Sequence, residues 1–80
     1  MTVKELREKL LDYDQDALVV LSSDPEGNSF NALGDVEGNS KYDHSSGRCG
    51  IAELTGPLEA AGYSNEDVMS TGKKAVVLWP

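Results

Sequence analysis

Two apolar runs constrain the fold of this chain more than any other feature. LVVL occupies residues 18–21 and AVVL occupies residues 75–78, and they are the most apolar segments of the sequence. Both are rich in β-branched valine, which is typical of strands. Because residues 18–21 do not alternate with polar residues, we expect this strand to be buried on both faces. The likeness of the two runs predicts that they lie side by side in the middle of one sheet.

The beginning of the chain has the pattern of an amphipathic helix. Thr2 and Glu5 have the spacing of a capping box, which satisfies the first backbone N–H groups of a helix. The apolar residues that follow recur at helical spacing and are Val3, Leu6, Leu10 and Tyr13. We therefore predict a helix over residues 3–12.

The acidic run DYDQD at residues 12–16 has the alternation of a calcium-binding loop. Such a loop requires Gly at its sixth position and Glu at its twelfth, where this chain has Ala17 and Ser23. The pattern therefore predicts an acidic turn that ends the helix.

The rest of the chain predicts two more strands and short helical turns. After a strand at 17–23 and a turn at 24–28, residues 30–38 predict a strand with Gly34 as a bulge and with Phe30, Ala32 and Val36 facing inward. Residues 39–50 are polar and rich in Gly and Ser, as loops are. Pro57 and Gly62 bound one helical turn, Ser64 begins another, and residues 73–80 form the last strand.

These elements predict an α+β domain. We expect the N-terminal helix to pack on a small three- to four-stranded, mainly antiparallel sheet, with one or two short helical turns before the C-terminal strand.

The length and the cysteine content limit how this fold can be stabilised. Eighty residues predict a single domain, 1–80, with a thin core. Cys49 and His44 are the only cysteine and histidine, which excludes an intrachain disulfide and leaves too few ligands for an ordinary zinc site. We expect no metal and no cofactor. Good packing and self-association remain as means of stabilisation, and of the two we expect self-association, in a homo-oligomer with Trp79 and Phe30 as interface residues.

The charge of the chain argues against a nucleic-acid or membrane partner. Fourteen acidic residues oppose seven basic ones, a net charge of -7, and the basic residues are scattered along the sequence. Nucleic acid is bound by clustered Lys and Arg. No run approaches the ~20 apolar residues of a membrane span, and MTVKELREKL lacks the apolar segment of a secretory signal. We expect an intracellular protein whose acidity serves solubility, with binding to a basic host protein or mimicry of DNA as the alternatives.

The segment YDHSSGRCG, residues 42–50, concentrates the reactive side chains. A Ser-His-acid triad would have to use His44 with its sequence neighbours, and adjacency in sequence rarely yields the required geometry. Only Arg48 and His44 could activate Cys49 as a nucleophile. The spacing and the lysine of a phosphate-binding P-loop are absent. We therefore expect no enzymatic activity and no catalytic residue.

Two interpretations of this segment stay open. Consecutive N–H groups in a Gly-containing turn can form a concave nest for an anion. Ser45 and Ser46 would donate hydroxyl groups, Arg48 would bind a phosphate, and His44 and Tyr42 would complete the site. The alternative is a mobile polar loop on the surface.

The two ends of the chain resemble a group of small proteins encoded by tailed bacteriophages. Those proteins open with M-T-V-x-E-L, continue with a D-A-x-V-V strand and end in V-V-L-W/Y-P, as this chain does at its start and finish. Residues 38–52 do not match. The resemblance implies a phage protein in the host cytoplasm, where many such proteins are non-enzymatic inhibitors of host defence.

The residues and the resemblance together support four hypotheses. The first is an anti-defence protein that sequesters a small anionic, nucleotide-type immune signal in an oligomer. The second is an acidic inhibitor that binds a host defence protein. The third is a structural or accessory phage domain without a ligand. The fourth, a small hydrolase centred on His44, predicts turnover that His44→Ala abolishes.

Overall fold

The computed structural model describes all 80 residues and has the predicted α+β class. The helices are α1 (Val3–Leu10) and α2 (Gly56–Ala60), with a 3₁₀ turn at Asn65–Asp67. The strands are β1 (Val20–Ser22), β2 (Phe30–Ala32), β3 (Asp35–Asp43), β4 (Arg48–Ile51) and β5 (Lys73–Trp79). They form two sheets: β1 pairs with β2, and the second sheet has the order β4-β3-β5.

The chain divides into two compact units. The N-terminal unit comprises Met1–Asp35 together with Leu78–Pro80, and the central unit comprises Val36–Val77. The end of the chain belongs to the N-terminal unit, where the Gly34 N–H donates to the Trp79 carbonyl over 2.8 Å. A Cβ on Gly34 would lie 2.8 Å from the Pro80 carbonyl oxygen, so this close approach requires glycine. The division into two units does not test the prediction that residues 1–80 form a single domain, which stays a prediction.

Helix α1 begins as predicted and ends earlier. The Thr2 hydroxyl accepts a hydrogen bond from the Glu5 N–H over 3.1 Å, which caps the helix. The helix ends at Leu10, so the predicted end at residue 12 is wrong by two residues. The reason is a tightening of the last turn, because the Tyr13 N–H donates to the Leu10 carbonyl and the Gln15 side chain bonds to the same carbonyl.

The first sheet is smaller and more exposed than predicted. Strand β1 pairs antiparallel with β2 over three residues, whereas residues 17–23 had predicted a longer strand. Burial of residues 18–21 on both faces was wrong: Leu18 is 88% exposed. Phe30 is 64% exposed, Val36 is 55% exposed and Ala32 is exposed as well, so the inward orientation predicted for these three residues is also wrong. The two-stranded sheet has no second layer of its own to cover the side chains of β1 and β2, whereas Val36 lies in β3 of the other sheet.

The second sheet includes a hairpin that the sequence did not predict. Strands β3 and β4 pair antiparallel from Ser40↔Ile51 to Asp43↔Arg48, across the segment predicted as a polar loop. Strand β5 belongs to this sheet and β1 to the other. The prediction that the two apolar runs lie side by side is therefore wrong.

The central unit holds all the buried residues of the chain. These are Ser40, Ala52 and Met69, which are 4%, 7% and 7% exposed. The Met69 N–H donates to the Ile51 carbonyl over 2.9 Å, and Ile51 also forms a parallel bridge with Val68. A Cβ on Gly50 would lie 3.0 Å from the Met69 thioether, so a larger residue there would displace this side chain.

The short helical turns follow the sequence predictions. Pro57 lies in the first turn of α2, and Thr55 caps the helix by accepting from the Leu58 N–H. Gly62 ends the turn with a φ of 101°, which favours glycine. The Ser64 N–H donates to the Asp67 carboxylate over 2.8 Å at the start of the 3₁₀ turn.

No helix of the structure combines the length and the apolar character needed to cross a membrane.

Candidate functional site

The predicted ligand residues lie at the tip of the β3–β4 hairpin. Asp43 ends β3 and Arg48 begins β4, and the two residues are paired in register. Gly47 has a φ of 73°, and its N–H donates to the Asp43 carbonyl over 2.8 Å to close the turn. This tip brings together the five residues predicted for anion binding, which are Tyr42, His44, Ser45, Ser46 and Arg48.

The carboxylate of Asp43 occupies the polar interior of this turn. It accepts from the Ser45 N–H over 3.0 Å. From the segment before β5, the Thr71 hydroxyl donates to it over 2.8 Å. Thr71 first, and then the Ser45 N–H, hold the pKa of Asp43 below its ordinary value of 3.8.

Asp43 therefore takes the place that an anion would occupy in the predicted nest. The Ser45 N–H donates to the Asp43 carboxylate, the Gly47 N–H donates to the Asp43 carbonyl, and the Arg48 N–H donates to the Ser46 hydroxyl oxygen over 3.3 Å. An external anion would compete with this carboxylate and would be repelled by its charge. Sequence reasoning missed this role of Asp43, although Asp followed by Ser two residues later is a recognised pattern of side chain-to-backbone turns.

The approach of Thr71 depends on its neighbour Gly72. Gly72 has a φ of 97°, and a Cβ at this position would lie 2.7 Å from the Tyr42 carbonyl oxygen. Both the backbone conformation and the contact exclude larger residues. This glycine lets the chain before β5 come close enough to β3 for the Thr71–Asp43 hydrogen bond.

An aromatic pair flanks the turn. The rings of Tyr42 and His44 lie 6.1 Å apart at an interplanar angle of 76°, which is an edge-to-face contact. Tyr42 is 42% exposed, and Cys49, its cross-strand neighbour, is also exposed. The pair leaves an aromatic surface open to solvent on the face of the hairpin that also carries Cys49, whereas Arg48 is paired with Asp43 on the opposite face.

A second candidate site is an apolar cleft in the N-terminal unit. It has a volume of about 350 Å³ and lies between the end of α1 and the start of β1. Its lining consists of Leu10, Tyr13, Asp14, Gln15, Ala17, Leu18 and Val19. Sequence reasoning assigned its apolar residues to the core. Leu18 is instead 88% exposed, so no other part of this chain covers its side chain.

The two predicted interface residues also lie in the N-terminal unit. Phe30 is 64% exposed and Trp79 is 49% exposed. Both side chains are thus available to a partner.

Comparison with known proteins gives no relative: no protein-family model, no curated protein and no solved structure matches this chain significantly.

Proposed function

We propose that this chain is a non-enzymatic binding protein whose N-terminal unit docks against the surface of another protein. The observation that carries the proposal is the distribution of apolar surface. Eleven of the fifteen exposed large apolar side chains lie in the N-terminal unit, and no residue of that unit is buried. Apolar surface concentrated in this way is typical of an interaction site.

The elements of this unit also need a partner for stability. Helix α1 has eight residues, and isolated helices shorter than about 12 residues are marginal in water. Sheet β1–β2 has two strands of three residues each, and a two-stranded sheet is marginal without a packed face. A partner that covers the exposed apolar side chains would supply the missing packing.

The charge suggests the class of partner. The N-terminal unit carries eight acidic and three basic residues, a net charge of -5. Such a surface attracts a basic protein and repels an acidic one. In the setting implied by the resemblance to phage proteins, the partner would be a basic host defence protein in the host cytoplasm.

Capture from bacterial lysate tests this proposal. The chain, immobilised through the central unit, should retain one or a few partners at low ionic strength and lose them as salt shortens the Debye length from about 10 Å to about 3 Å. The same experiment with a charge-reversed N-terminal unit serves as the control and should not retain those partners. If the two baits retain the same proteins, or neither retains any, the proposed function is wrong.

A second candidate function is sequestration of a small nucleotide-type signal by a homo-oligomer. The observation in its favour is the exposed ring pair of Tyr42 and His44 at a hairpin tip that also carries Arg48, residue types that can stack on a base and bind a phosphate. The carboxylate of Asp43 opposes it, because this group already occupies the turn. Phe30 and Trp79 would supply the contacts between subunits.

Calorimetry with a panel of cyclic nucleotides tests the second candidate. Binding should be lost in Arg48→Ala and strengthened in Asp43→Asn, which removes the competing charge. Native mass spectrometry of the same samples would report the subunit number and any retained ligand. Binding that is unchanged in Arg48→Ala would exclude the hairpin as the site. If this panel and the lysate capture both give no partner, the third hypothesis, a structural domain without a ligand, is favoured.

A further inference from the structure

The cleft between α1 and β1 is shaped by hydrogen bonds among the residues of the segment that lines it. The Gln15 amide donates to the carbonyl groups of Leu10 and Tyr13 over 3.0 and 2.7 Å. The Ala17 N–H donates to the Asp14 carbonyl over 3.1 Å and so closes the next turn. These bonds hold the end of the helix and the chain that follows it in one arrangement. The cleft is therefore present before any partner binds, which lowers the entropic cost of binding.

The walls of the cleft suit a protein better than a small molecule. Leu18 is 88% exposed, Tyr13 is 69% exposed and Val19 is 45% exposed. Pockets for small molecules enclose ~70–90% of the ligand surface and therefore have buried walls. Walls as open as these can instead receive apolar side chains that project from a folded surface, as helix-binding grooves do.

The charge around the cleft indicates which surface it can receive. Asp14 lines the cleft, and Asp12 and Asp16 lie two residues before and two residues after it in sequence, all three being exposed. A second copy of this chain would bring the same excess of negative charge to the contact. A partner that carries Lys and Arg around its apolar side chains would be attracted, because the two potentials are complementary.

We propose that this cleft binds the apolar face of a cationic amphipathic helix of another protein. Apolar side chains at positions i and i+4 of that helix would enter the cleft against Leu10, Leu18 and Val19. Lysine or arginine side chains beside them would face Asp12, Asp14 and Asp16. The inference rests on the proposed function and names the partner surface and the point of contact.

A synthetic peptide tests the cleft directly. The probe is an amphipathic helical peptide of about four turns, with leucine on one face and lysine on the other. Its affinity for the full chain is measured by fluorescence anisotropy. Leu18→Gln should weaken binding about tenfold, the value expected when one leucine loses its apolar contact. Leu11→Gln is the matched control, because Leu11 is 66% exposed, follows the same helix and does not line the cleft.

A second pair of variants tests the contribution of charge. Asp14→Asn keeps an oxygen that can accept from the Asp16 N–H and should weaken binding about two- to fivefold at low ionic strength. Glu59→Gln makes the same change of charge in the central unit and should leave the affinity unchanged. The difference between the two variants should shrink at high salt.

Three results would overturn the inference. The first is that the peptide does not bind the wild-type chain. The second is that Leu18→Gln and Leu11→Gln weaken its binding equally. The third is that a peptide with scrambled leucine positions binds the wild-type chain as tightly as the amphipathic peptide does. Dimerisation of the chain alone that Leu18→Gln abolishes would show that the occupant is a second copy, and it would also overturn the inference.

The two proposals can fail separately. If the lysate partner is captured equally by wild type and by Leu18→Gln, the assignment of the cleft is wrong and the proposed function stands. If the peptide binds as expected and no lysate partner is found, the proposed function is wrong, and the cleft is shown only to accept a cationic amphipathic helix.

Discussion

At the scale of single residues, two aspartates show that part of the acidity of this chain has a structural use. Asp43 accepts hydrogen bonds within the β3–β4 turn, and Asp24 accepts from the N–H groups of Glu26 and Asn28 in the loop between β1 and β2. The pKa of Asp24 is also lowered, first by the side chain of Asn28. Each carboxylate satisfies backbone N–H groups that a tight turn leaves unpaired. These charges are therefore part of the fold as well as of the surface.

The contact between Thr71 and Asp43 predicts how stability depends on pH. Because the folded pKa of Asp43 is lowered, its contribution to the free energy of unfolding is present above the ordinary pKa of 3.8 and is lost as pH falls through the folded value. Thr71→Val removes the largest cause of this shift and should move the Asp43 titration, followed by NMR, toward higher pH. Its stability deficit relative to wild type should shrink as the solution becomes acidic.

The control for this prediction is Thr71→Ser, which keeps the hydroxyl group. It should preserve the low titration midpoint of Asp43, so identical midpoints in the serine and valine variants would refute the role of the hydrogen bond.

At the scale of elements, Asn39 extends the β3–β4 hairpin beyond its backbone pairing. Its side-chain amide donates to the Glu53 carbonyl over 3.0 Å, and its side-chain oxygen accepts from the Glu53 N–H over 3.1 Å. The Ala52 N–H donates to the Asn39 carbonyl over 3.2 Å. The amide thus replaces a strand partner where β4 ends and the chain turns toward α2.

This geometry predicts different costs for two substitutions of Asn39. Asn39→Asp keeps the shape and the acceptor but loses the donor and sets a negative charge against the Glu53 carbonyl, so it should cost about 1–3 kcal/mol of unfolding free energy. Urea denaturation measures this cost, and it should decrease at low pH as the new carboxyl group becomes protonated. The cost in unfolding free energy should not decrease at low pH for Asn39→Ala, because alanine has neither the donor nor the acceptor at any pH. Equal pH dependence of the two variants would contradict the paired arrangement.

At the scale of the whole molecule, the small amount of buried surface is the dominant property. The accessible surface is 6677 Å², whereas a folded chain of 8.6 kDa typically exposes about 4,700 Å². Only Ala52 and Met69 are buried apolar residues. Unfolding of the isolated chain therefore exposes less new apolar surface than usual.

This surface predicts a low heat capacity of unfolding. A typical chain of this length has a value of about 1 kcal/mol/K, and the isolated monomer should fall roughly one quarter below it, in proportion to the smaller area buried on folding. Differential scanning calorimetry on a sample shown to be monomeric by sedimentation measures it. A monomer with the usual value would mean that the apolar side chains are covered within the chain. If the chain self-associates, the melting temperature should rise with concentration.

The sequence predicted those features that depend on near neighbours. The Thr2 cap, the Gly62 helix stop, the 3₁₀ turn after Ser64 and strand β5 all appear as expected. Each is determined by backbone preferences or by side chain-to-backbone bonds a few residues apart, so the local sequence contains the information. The α+β class follows from the order of these elements.

Only the tertiary structure decided which strands pair and which apolar residues stay exposed. The apolar runs at 18–21 and 75–78 look alike, yet they lie in different sheets, because pairing depends on where intervening turns bring the chain. The segment YDHSSGRCG is the tip of a hairpin whose Asp43 bonds to a threonine 28 residues away. The apolar pattern of residues 10–19 does not distinguish side chains that are buried in a core from side chains that line an open cleft. Whether other residues of the chain cover it is a non-local property, and the structure shows that they do not.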